Sequence, residues 1–104
     1  MSYVLGNLVK QSVISVALAP VAVAQATTAE QDFTVNGLQV GDHVLVNKPT
    51  AQTGIGIVGS RVSAANTLSI TYCNVPSGGN ITPTTETYQI LLSRKDSTIT
   101  DANI

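Results

Sequence analysis

The stretch GIGIVGSRVSAANTLSITYCNV, residues 54–75, reads as a β-hairpin with a register. Setting Ala64, Ala65 and Asn66 as a three-residue loop gives Asn66 the left-handed conformation such loops demand. Val62 then faces Leu68, Ser60 faces Ile70 and Val58 faces Tyr72. Directly opposed residues share a face, so one side carries a largely apolar ladder. The other side receives Ser63/Thr67, Arg61/Ser69 and Gly59/Thr71, which are small and polar. A two-residue loop would set Val62 against Ser69 and spoil both faces. Ile55 and Ile57 run in one phase and Val58, Ser60 and Val62 in the other, which predicts a bulge eased by Gly56 and Gly59.

Outward from the hairpin, short strands recur between turn signals. Toward the N-terminus, His43 to Asn47 alternates with Val44 and Val46 on one face. Asn36-Gly37 and Gly41-Asp42 are turns, between which Leu38 and Val40 are expected to tuck against the core. A strand is expected over about 31–35, with Phe33 and Val35 inward, after a polar turn at residues 27–30. The loop at 48–54 is fixed by Pro49 and released at Gly54. Beyond the hairpin, residues 76–85 form a loop and Thr87 to Leu92 a strand with Tyr88, Ile90 and Leu92 inward. Six or seven short strands without a helical period predict an all-β fold, a small antiparallel sandwich or barrel.

Residues 12–26, SVISVALAPVAVAQA, imitate the apolar core of a secretory signal ending in Ala-Gln-Ala. Its basic region is a single Lys10, and Ser12, Ser15 and Pro20 interrupt the run. The strand reading fits better: Ile14, Val16 and Leu18 alternate with small residues. Pro20 marks an edge or a break, after which Val21 and Val23 resume in the opposite phase. The mature protein is therefore expected to keep residues 1–26. The chain divides into an N-terminal arm (1–11), a sandwich domain (12–93) and a polar C-terminal tail (94–104). In the arm, Tyr3, Val4, Leu5, Leu8 and Val9 are the candidate partner-binding residues, because a free apolar arm in water would be a liability.

Only 11 per cent of the 104 residues are charged, less than half the usual share of roughly 25 per cent. Such a neutral surface suits a protein held in an assembly. Net charge is −1, and Lys10, Lys48, Arg61, Arg94 and Lys95 form no basic stripe, so no nucleic-acid partner is expected. No run is long enough to span a membrane as a helix. Cys73, the single cysteine, excludes an intrachain disulfide and reads as an apolar filler.

Chemistry is sparse. His43 and Cys73 could in principle pair, but no strand-to-helix elbow supplies an oxyanion hole, so no enzyme is expected. Glu30, Asp32, Asp42, Glu86, Asp96 and Asp101 never take a calcium-loop spacing. Glu30 and Asp32 could share a face and meet a cation, although a solvated face accounts for them. Gly54-Ile55-Gly56 enters a strand, the wrong setting for anion binding. No cofactor is expected.

Three phrases, TTAEQDFTVNGLQVGD (27–42), GIGIVGSRVSAANTLSITYCNV (54–75) and ITPTTETYQILL (81–92), carry a resemblance. Their pattern of Gly37-Leu38, Val40-Gly41-Asp42, Arg61-Val62-Ser63 and Asn66-Thr67-Leu68 resembles the capsid decoration, or cement, proteins of tailed bacteriophages. The resemblance implies a small β domain on the outer surface of the virion, bound to the major capsid protein and reinforcing the shell. It implies a homo-oligomer, a trimer ahead of a dimer because shells offer threefold positions. The alternative is a secreted or host-facing adhesive domain with a signal ending near Ala26.

Overall fold

The structure, a computed structural model, describes residues 8–76 and 78–96. Its strands are β1 (Leu8–Leu18), β2 (Thr27–Thr34), β3 (His43–Asn47), β4 (Ile55–Ala64), β5 (Thr67–Asn74) and β6 (Glu86–Lys95). They form two antiparallel three-stranded sheets, β1-β6-β3 and β2-β5-β4. The chain is a small β-sandwich. Alternation places one face of each strand inward. Ile14, Val16, Leu18, Tyr88, Ile90, Leu92, Val44 and Val46 come from the first sheet. Ala29, Phe33, Ile55, Ile57, Val62, Leu68, Ile70 and Tyr72 meet them from the second. Val23, Val35 and Leu38, outside the strands, close the core.

The hairpin pairs Val62 with Leu68, Ser60 with Ile70, Arg61 with Ser69 and Gly59 with Thr71, as read from the letters. Asn66 takes φ 59°. Two details differ. Thr67 lies opposite Ala64 rather than Ser63, the odd residue being absorbed between Val62 and Ala64. Ile57, not Val58, lies opposite Tyr72, because the expected irregularity falls between Ile57 and Gly59 and turns Val58 out to solvent. A bulge adds one residue and reverses the faces upstream of it.

Asn66 also clasps the preceding turn. Its backbone N–H donates to the Leu38 carbonyl, its carbonyl accepts from Val35 N–H, and its Oδ1 accepts from Gly37 N–H at 2.8 Å. Leu38 is thereby held in the core, whereas Val40, expected inside, is exposed. The segment expected as a polar turn, residues 27–30, is the first half of β2, whose inward residues there are small. Between β1 and β2 the chain forms only a bridge at Val23, paired with Ile81, and Val21 is exposed. Buried Asn74 ties this segment down: its Nδ2 donates to the carbonyls of Val23 and Gly79. Gly54, with φ 85°, has no room for a side chain, since a Cβ would meet Pro76 Cγ at 2.9 Å.

The first and last described strands run past residues 12 and 93. β1 begins at Leu8, so residues 8–11 belong to the sheet, and β6 continues through Arg94 and Lys95. Tyr3, Val4 and Leu5 lie outside the described residues.

Candidate interaction surface

The outer face of the β1-β6-β3 sheet is built by strand order, which no local pattern announces. Cross-strand pairing aligns Val13 with Leu91 and Leu91 with Leu45. Val13 is 61% and Leu45 66% exposed, and Leu91 between them is half-buried. The result is an apolar row crossing all three strands. On one side runs Gln11–Ser93–His43 and on the other Ser15–Gln89–Asn47. These three rows contain no carboxylate, lysine or arginine. Near the start of β1, Leu8 and Val9, the two described residues of the expected arm, are also exposed.

The opposite face of the sandwich, exposed Val58 apart, is mostly polar. On the β2-β5-β4 sheet Arg61 reaches across β5 to Glu30, with Nε and Nη2 donating to the two carboxylate oxygens at 2.9 and 2.8 Å. This guanidinium lowers the Glu30 pKa. Ser69, fully buried, donates to Asp32 at 2.5 Å, and its oxygen lies 2.7 Å from that of Ser63. Both carboxylates that could have met a cation therefore have side-chain partners, and among the described residues no three potential ligands cluster.

His43 lies in an outward row of one sheet, and Cys73, alternating with inward Tyr72, faces outward from the other. The structure does not bring them together.

At one end of the sandwich an open groove of about 520 Å³ runs past Val9, Val40, Asp42, Arg94 and Asp96. Its wall is a clasp. Arg94 Nε and Nη2 donate to Asp42 Oδ1 and Oδ2 at 2.8 and 2.9 Å, and Nη2 also donates to the Gly37 carbonyl. Gln39 N–H donates to Asp42 Oδ2. The Arg94 guanidinium, then the Gln39 amide, hold the Asp42 carboxyl below its ordinary value against the opposing effect of burial. Arg94, expected in a tail, thus fastens β6 to the turn before β3. The partners are 52 positions apart, and nothing in the sequence links them.

The strand edges differ in how they are protected. β2 carries Glu30 and Asp32, and its Gln31 exchanges two 2.9 Å hydrogen bonds with the Val21 backbone. β4 is bulged twice. β3 is five residues long and leans on β4, where Ser60 Oγ donates to the Val44 carbonyl at 3.1 Å. β1 is eleven residues long, keeps an unbroken register from Lys10 to Leu18, and carries no charge after Lys10. Among the described residues nothing pairs with its free edge.

No helix among the described residues is long and apolar enough to cross a membrane. Comparison with protein-family models, with curated proteins and with solved structures finds no match.

Proposed function

We propose that the chain is a structural protein of a tailed bacteriophage that attaches, as a homo-oligomer, to the major capsid protein on the outside of the head and stabilises the shell. The observation that carries this reading is the set of three uncharged rows on the outer face, crossed by Val13, Leu91 and Leu45. It offers packing without ion pairs, as the depletion of charge in interface cores requires. The resemblance over residues 27–92 points to the same role. Many copies, each with modest contacts, reinforce a shell through effective concentration. The exposed Leu8 and Val9, with Tyr3, Val4 and Leu5 before them, serve as an anchor.

Cleavage near Ala26, as an adhesive secreted domain would require, removes β1 and with it Ile14, Val16 and Leu18 from the core. That favours the shell reading over its alternative.

The test is mass spectrometry of washed virions, followed by shells prepared with and without the chain. The proposal expects the chain in stoichiometric amount and a higher temperature of DNA release when it is bound. Its absence from virions, or equal heat resistance of the two shells, overturns the reading.

A further inference from the structure

We infer that the free edge of β1 is a self-pairing surface: two copies join antiparallel, Val13 opposite Val13 of the second copy, into one six-stranded sheet. This deepens the homo-oligomer part of the proposed function and is independent of the capsid.

Three observations select the edge, the occupant and the register. Charge, bulges, short length or a covering segment protect β2, β3 and β4, while β1, beyond an irregularity between Leu8 and Lys10, presents from Lys10 to Leu18 a regular, nearly uncharged row of backbone donors and acceptors. Such an edge is a template for another strand. The apolar row Leu45–Leu91–Val13 ends abruptly at this edge. A two-fold axis at Val13 continues it through the second copy as Val13–Leu91–Leu45, doubling its length. The second copy supplies the complement because rotation about that axis carries the row onto its own continuation.

Charge and side-chain parity agree with this register. Opposed residues share a face, so the pairing must bring outward residues against outward ones. With Val13 on the axis, Gln11 opposes Ser15 and Ser12 opposes Ile14. Lys10, the single charge on β1, opposes Val16 of the second copy rather than its own equivalent, and its charge acts on Asp42 within its own chain. An axis at Lys10 would set two ammonium groups face to face. An axis at Ser12 or Ile14 would interrupt the apolar row. The geometry gives a two-fold pair, where shell symmetry alone had suggested three.

Disulfide trapping tests it. In a Cys73→Ser background, Val13→Cys places two thiols across the axis, where the Cα separation of about 4.5–5.5 Å suits a disulfide. Ala17→Cys, on the same face, lies well off the axis and far from its equivalent in the second copy. Oxidation should convert the Val13→Cys chain to covalent dimer at least tenfold faster than the Ala17→Cys chain. Val13→Lys, at an exposed site, should stay folded by circular dichroism and raise the dimer dissociation constant at least tenfold in sedimentation equilibrium. Equal trapping at both positions, a monomer at high micromolar concentration, or a trimer unaffected by Val13→Lys overturns the pairing. A monomer that still binds shells would overturn it, and the homo-oligomer with it, while leaving attachment to the capsid intact.

Discussion

The Tyr72 hydroxyl donates to the Tyr88 hydroxyl across 3.3 Å, joining the middle strand of one sheet to the middle strand of the other. The Tyr88 hydroxyl in turn donates to the Thr84 carbonyl at 3.0 Å. Both rings are fully buried, and burial raises both phenol pKa values. The order of donation makes the two residues unequal. Tyr72→Phe leaves every remaining group paired and should cost less than about 1 kcal/mol. Tyr88→Phe leaves the Tyr72 hydroxyl without its acceptor and should cost about 1–3 kcal/mol. Urea unfolding of the two variants measures the difference, and equal losses would contradict this chain of donation.

Asn66 combines backbone and side-chain roles that can be separated. Asn66→Gly keeps the left-handed turn and loses only the bond from Gly37, so a loss of roughly 0.5–1.5 kcal/mol is expected. Asn66→Ala adds the steric penalty of a Cβ at positive φ, roughly 1–2 kcal/mol more. If alanine proves no worse than glycine in denaturant titration, the turn geometry is not the source of the effect.

Acid should expose the clasp between Asp42 and Arg94. A carboxyl whose folded pKa is depressed contributes fully above its unfolded value of 3.8 and loses that contribution as pH falls through the folded value. Thermal midpoints should therefore drop as pH falls from about 5. Asp42→Asn should be less stable than the parent at neutral pH and show a shallower acid decline. Glu30 and Glu86, also held below their ordinary values by Arg61 and by Thr50 with Lys48, keep the decline from vanishing. Parallel curves for parent and variant would remove Asp42 from the account.

A chain beginning at Thr27 lacks β1 and should not fold. Leu18 is almost fully buried, and without β1 the middle strand β6 becomes an edge along its whole length. A dispersed amide spectrum from the truncated chain would show that β1 is dispensable.

Deleting residues 2–7, in contrast, should leave the sandwich folded, because every described strand begins later. Shell binding should weaken, in keeping with the proposed anchor. For the intact chain, raising salt to about 1 M should change shell affinity little, since screening acts on exposed charges. Loss of folding on this deletion, undiminished binding, or release by salt would each count against apolar anchoring.

What the sequence made legible was local. Val62 against Leu68 followed from alternation and a loop residue suited to positive φ. The bulge was visible in the phase change and the glycines, but its placement was not, so Ile57 and Val58 exchanged faces. The strand at 27–30 was hidden because an edge strand with Ala29 inward carries little apolar signal. The apolar row on the outer face depends on β6 lying between β1 and β3. That neighbourhood joins residues remote in sequence, as does the bond between Asp42 and Arg94, and neither has a periodicity to read.

The pairing of Leu8 with Lys95 and of Leu18 with Glu86 means that β1 finds its only described neighbour strand near the far end of the chain. On the ribosome, β1 emerges before the other described strands and waits through the synthesis of β2 to β5, during which the β2-β5-β4 sheet can close. Contacts this distant in sequence form slowly. Until β6 arrives, β1 is an apolar strand with both edges open. The nascent chain is then most vulnerable to pairing with a neighbour on the same message, and a chaperone that shields residues 8–18 would act in that interval.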